Sequence, residues 1–150
     1  MAAQFSVTTG LTALTAATAK TMVELSTTAN TSAELVALSV SSSYLTTATP
    51  LTLTVELGTY TATGTGTSYT PKRVGTGVGV AQTTAKINDT VEPAGFTSIH
   101  VWDLTLPGDR LDYQWPLGRE YFLTTSAFNG VRITSPSGTP SVRVTLWFEE

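Results

Sequence analysis

Alternation of apolar and polar residues constrains this chain more than any other feature. Successive side chains of a β-strand point to opposite faces, so a period of two builds one buried and one solvated face, which a helix cannot do. Leu51, Leu53, Val55 and Leu57 alternate with Thr52, Thr54 and Glu56. Val142, Val144, Leu146 and Phe148 alternate with Ser141, Arg143, Thr145 and Trp147, and Val131 and Ile133 with Arg132 and Thr134. Further strand candidates lie at 5–8, 21–25, 34–41, 98–106, 111–115 and 121–124. That makes about nine short strands with turn residues between most of them, the pattern of an all-β domain.

The best helix candidate is 11–20, where alanine is frequent, but its threonines and its lack of charge before Lys20 make it a loop. The expected fold is an antiparallel β-sandwich, jelly-roll-like, formed by 1–150 as a single domain. Residues 1–20 read as an N-terminal arm, weakly structured alone and ordered by a neighbour. Residues 59–79, with Thr63-Gly64-Thr65-Gly66-Thr67 and Gly75-Thr76-Gly77-Val78-Gly79, read as a long mobile loop or hairpin tip. The Thr-Gly pairs read as local compositional bias. Residues 130–135 and 141–149 read as a hairpin turned by Pro136-Ser137-Gly138-Thr139-Pro140, with Glu149 and Glu150 discouraging edge-to-edge association.

Composition narrows the function classes. Threonine supplies about one residue in five, stiff at Cβ yet hydrophilic, as a solvated sheet face requires. The chain has no cysteine, hence no disulfide, thiolate metal site or cysteine nucleophile. A net charge of −3 leaves no basic footprint for nucleic acid. With 41% hydrophobic residues the chain is no disordered segment, and it has no apolar run of membrane-spanning length. The opening Met1-Ala2-Ala3-Gln4-Phe5 lacks the marks of a signal peptide.

Catalytic constellations are sparse. His100 is the single histidine, so a multi-histidine metal site is impossible, and the spacing of Asp103, Asp109 and Asp112 fits no calcium loop. His100 and Asp103 fall on opposite faces of one strand, and no Gly-x-Ser-x-Gly elbow supplies a nucleophile. His100 reads as a structural residue beside Trp102. The glycines at 75–79 lack the Gly-Lys-Ser/Thr ending of a phosphate loop. Paired carboxylates of a glycosidase type find no support beyond the presence of eleven acids. We therefore expect no enzyme, no catalytic or metal residues and no cofactor.

Aromatic and arginine placement says more. Residues 98–106 carry apolar side chains on both parities, Ile99 and Val101 against Trp102, Leu104 and Leu106, which reads as a central strand covered on each side, one side by a second subunit. Trp147 shares the outward parity of the last strand with Arg143. With Trp102, Trp115, Arg119 and Glu120, these are the candidate interface residues, since Trp and Arg dominate interface hot spots. Trp102, Tyr113 and Trp115 are also candidates for stacking on carbohydrate.

Several blocks in order resemble a known family. They are Thr15-Ala16-Ala17-Thr18-Ala19-Lys20-Thr21, Glu24-Leu25, Ala29-Asn30, Trp102-Asp103, Gln114-Trp115-Pro116-Leu117-Gly118-Arg119-Glu120 and Trp147-Phe148-Glu149-Glu150. Together they are similar to small β-rich virion proteins of tailed bacteriophages, in particular head decoration (cement) proteins. The resemblance implies a structural protein on the outer surface of the phage head, made in the host cytoplasm. Its partners would be the major capsid protein and itself, as a homotrimer, with neither nucleic acid nor membrane involved. Family members commonly show a Trp-Gly pair in the second long strand, where this chain has Leu38-Ser39-Val40. The alternative is a carbohydrate- or receptor-binding module of a tail appendage.

Overall fold

A computed structural model describes residues 2–43 and 50–150. The described chain is all-β, with no helix. Its strands are β1 (Gln4–Thr8), β2 (Thr12–Ala13), β3 (Ala19–Ser26), β4 (Ala33–Ser42), β5 (Leu51–Tyr60), β6 (Thr65–Tyr69), β7 (Lys72–Arg73), β8 (Thr84–Val91), β9 (Thr97–Leu106), β10 (Leu111–Gln114), β11 (Tyr121–Leu123), β12 (Phe128–Thr134) and β13 (Ser141–Glu149). One sheet has the order β10-β4-β13-β1-β7, with β11 also on β4 and β2 on β13; the other has the order β6-β8-β3-β12-β5-β9. All strand pairings are antiparallel.

The alternating residues meet between the sheets. Leu53, Val55 and Leu57 from β5 with Val131 and Ile133 from β12 face Val142, Val144, Leu146 and Phe148 from β13, all fully buried. Bulges adjust the pattern where plain alternation would fail. In β4, Ala33 and Leu35 are buried on odd positions and Leu38 and Val40 on even ones. The switch occurs at Val36, the residue skipped in the pairing with β13 between Trp147 and Phe148. An extra residue at a bulge re-aims every side chain beyond it.

The structure departs from the sequence expectations at several points. Residues 98–106 are not a central strand: β9 pairs with β5 alone and forms an edge of the six-stranded sheet. β12 and β13 are not a hairpin, because they belong to different sheets and residues 136–140 cross between them. β13 lies between β4 and β1, so Glu149 and Glu150 guard no edge. Glu150 instead accepts hydrogen bonds from the backbone N–H groups of Gln82 and Thr83 at 2.5 and 3.0 Å. The 59–79 loop is partly regular, since it contains the end of β5, then β6 on β8 and β7 on β1.

The N-terminal segment, read as an arm, is built into the sandwich from Gln4 onward. β1 is paired on both sides and buries Phe5 and Val7, while Leu14 is 1% exposed. Met1 lies outside the described residues. The reading of 11–20 as a loop fits its structure, where only the two-residue β2 and the start of β3 are regular.

Candidate functional site

The end of the sandwich formed by β9, β10 and β11 gathers the aromatic residues singled out from sequence. His100 and Trp102 of β9 point inward across the gap between the sheets. There they meet Tyr113 of β10, Trp115 just after it and Tyr121 of β11. Ring centroids lie 5.6 Å apart for His100 and Trp102, 5.3 Å for Trp102 and Tyr113, and 5.0 Å for Tyr113 and Trp115. His100 also sits 6.2 Å from both Trp115 and Tyr121, edge to face. Such offset and T-shaped contacts suit the charge distribution of aromatic rings. The cluster closes a gap that two sheet edges would otherwise leave open. Burial raises the pKa of the Tyr121 hydroxyl.

This geometry sorts the candidate residues. Trp115 is 4% exposed and is enclosed as a core residue, so it offers no surface for a partner or a sugar. Trp102 and Tyr113 are half-buried within the cluster and form no flat platform. Arg119 is exposed in the turn between β10 and β11, where the Glu120 carboxylate accepts the Gly118 N–H at 3.0 Å. Arg143 and Trp147 stand on the outer face of the seven-stranded sheet, away from the cluster, with Arg143 exposed and Trp147 half-buried. The six candidates thus divide between two places. Asp103 points away from His100 and accepts a hydrogen bond from Thr54. Among the described residues no three His, Asp or Glu side chains converge as a metal-binding group.

Around the aromatic end the surface is unusually apolar. Ile99 and Val101 on the outer face of β9 are 42% and 57% exposed, and Leu117 and Phe122 beside β10 and in β11 are 92% and 53% exposed. The free edge of β9 is capped at one end only. The Thr105 N–H donates to Asp109 Oδ2 at 2.8 Å, and the Thr105 carbonyl accepts the Asp109 N–H at 3.1 Å. Backbone groups of every second residue face the same side of an antiparallel strand. Val101 and Asp103 therefore present N–H and C=O groups to the open edge, where no described residue pairs with them.

A second constellation escaped the sequence reading. Glu24 of β3 and Asp89 of β8 are 1% and 2% exposed and lie against each other beneath the 61–66 segment. Gly64 and Gly66 cover them so closely that a Cβ would lie 2.6 Å from Asp89 Oδ2 and 2.0 Å from Asp89 Oδ1, respectively. The Gly64 N–H donates to Glu24 Oε2 at 2.9 Å, while Lys86 Nζ binds the Thr63 hydroxyl and, at 2.8 Å, the Gly64 carbonyl. Burial is the main cause that raises the Asp89 carboxyl to about 7, followed by the charge of Glu24. Neither Asp89 carboxylate oxygen meets a hydrogen-bond partner among the described residues, so nothing relieves the cost of charging it in this buried place. Beside this pair Glu92 accepts from the Thr21 N–H and hydroxyl, and the Thr21 hydroxyl meets the Tyr60 hydroxyl at 2.8 Å. Burial raises the pKa of that phenol. The available signal was the alternation of glycine itself. Gly64 and Gly66 leave one face of a strand bare, and a bare face marks close approach of other atoms.

The chain matches no protein-family model, no curated protein and no solved structure.

Proposed function

We propose that this protein is a structural component of a tailed-phage virion, a head decoration protein that binds the outer capsid surface and associates with itself as a trimer. The observation that carries this reading is the open, apolar end of the sandwich. A partly uncapped strand edge flanked by exposed Ile99, Val101, Leu117 and Phe122 is a surface suited to another protein, because its free N–H and C=O groups are a template for strand pairing and its apolar side chains gain by leaving water. Two of the blocks that carry the family resemblance, 102–103 and 114–120, converge at this same end. Many copies on a lattice gain in avidity what each contact lacks in area.

The test is co-sedimentation of the purified protein with capsid shells of the encoding phage prepared without it, with light scattering of the protein alone across a concentration series. Saturable co-sedimentation, weakened by Val101→Asp, is expected, together with a mass of three chains. Shells that bring down no protein at any concentration would overturn the capsid reading. A single-chain mass at all concentrations would overturn self-association in solution.

A further inference from the structure

The outer face of the seven-stranded sheet carries a feature that the capsid reading does not use. Strand register places it. Trp147 of β13 lies opposite Ala37 of β4, which lies opposite Gln114 of β10; one step along, Thr145, Ser39 and Asp112 are aligned in the same way. The central strand thus shows small side chains, Ala37 and Ser39, between an indole on one flank and an amide and a carboxylate on the other. The result is a trough of about 410 Å³, with Gln4 of β1 also on its wall. The flanking strands are about 10 Å apart, twice the spacing of neighbouring strands. That width admits one flat ring lying against the indole.

The chemistry of the walls is specific. Trp147 is a large, half-buried ring on the outward parity of a strand whose inward residues form the core. The Gln4 and Gln114 amides make no hydrogen bond to any described residue and remain able to donate and to accept. Asp112 is held charged by hydrogen bonds from Ser39 and Arg110, with the Arg110 Nε 2.6 Å from its carboxylate. A ligand matching this trough has a flat apolar face and several hydroxyls around its rim. We propose that the trough over Ala37 and Ser39 is a saccharide-binding subsite, taking a hexopyranose with all-equatorial hydroxyls, its C–H face on Trp147 and its hydroxyls on Gln4, Gln114 and Asp112. All-equatorial substitution keeps axial hydroxyls off both faces, so either face can lie on the indole, and gluco- is told from galacto-configuration by the position of the rim hydroxyls. A site that hydrogen-bonds particular hydroxyls also disfavours a ring in which one of them points elsewhere.

The subsite is independent of the capsid reading, and a test on the purified full chain keeps the two apart. Cellotetraose and tetra-N-acetylchitotetraose are titrated to about 10 mM, a range that captures the millimolar affinity of a single shallow subsite. The indole N–H resonances are followed by NMR, with the Trp147 signal assigned by its loss in Trp147→Phe. We expect a saturable shift of the Trp147 signal with the Trp102 and Trp115 signals unmoved. Followed by backbone amide shifts of the trough residues, which every variant retains, Trp147→Ala should weaken binding at least about tenfold and Gln114→Ala about threefold, the loss of one stacked ring and one hydrogen bond respectively. Gln114→Ala lies on an exposed position and keeps the test valid should Trp147→Ala fold poorly. A Trp147 signal unmoved by both sugars, an equal response to a β-galactotetraose, or binding unchanged in Gln114→Ala and Asp112→Ala together would each overturn the assignment. A shift with a proline-rich peptide but with neither sugar would overturn it in favour of a peptide groove.

Discussion

Replacing Asp89 by Asn should remove most of a pH dependence of stability that this carboxyl imposes. In the folded protein its pKa stands at about 7 against an ordinary 3.8, because burial and Glu24 both oppose its charge and Lys86 offsets only part of that. Between those two values the folded state holds a proton that the unfolded state has released. Stability from this group is thus fully present below about pH 4 and is lost as pH rises through about 7. Integrating between pH 5 and pH 8 gives a loss of about 2.5 kcal/mol, or about 5–10 °C in Tm for a domain of this length. An asparagine amide stays uncharged beside Glu24 at every pH, as the carboxyl does only at low pH. Urea denaturation followed by tryptophan fluorescence at both pH values, for parent and Asp89→Asn, isolates the effect, since all other groups cancel in the comparison. The variant should lose about 2.5 kcal/mol of pH dependence and be the more stable protein at pH 8. Equal pH dependence in the two proteins would refute retention of the proton by Asp89 in the folded state.

Other consequences follow from packing. Gly66→Ala sets a methyl 2.0 Å from Asp89 Oδ1 under a paired strand and should cost about 1–3 kcal/mol in urea denaturation. Trp115→Ala opens a cavity where the two sheet edges meet, which should cost about 3–5 kcal/mol and flatten the near-ultraviolet circular dichroism of the ring cluster. Arg132→Ala removes a guanidinium that is 2.7 Å from the Glu56 carboxylate and 3.8 Å above the Phe96 ring. Loss of both contacts should cost about 1–2 kcal/mol, with less lost in Arg132→Lys, which keeps the charge.

Legibility in the sequence followed the strength of alternation. β5, β12 and β13 were readable because each buries one complete face, and the all-β sandwich follows from them. β6 and β8 were not, because their side chains are largely polar or absent: β6 carries Gly66 among hydroxyls, and β8 reads Lys86-Ile87-Asn88-Asp89 across its centre. These strands are held by main-chain pairing and by the hydrogen bonds of Glu24 and Lys86 to Thr63 and Gly64, and neither leaves a periodic trace. The edge position of β9 was misread for a related reason. Apolar residues on both parities can mean burial on both sides, but here His100 and Trp102 complete the interior while Ile99 and Val101 remain at the surface. Of the interface candidates, Trp147 and Arg143 share a face as their parity indicates. The closeness of Trp102 to Trp115 comes from the joining of two sheets, which spacing along the chain does not reveal.

The pairing of β1 with β13 joins Gln4 to Glu149 and Thr8 to Thr145. β13 is also the strand on which β4 and β2 are built. The seven-stranded sheet therefore cannot grow outward from a local hairpin, since its middle is assembled from residues well over a hundred positions apart. Closing so large a loop costs entropy before any contact compensates it, which places folding on the slow side of the range for domains of this length, milliseconds to seconds. The same connectivity works in reverse. The seven-stranded sheet cannot come apart without breaking the ladder through β13, so it should open as one cooperative unit, with long-lived amide protection spread evenly along β4, β13 and β1.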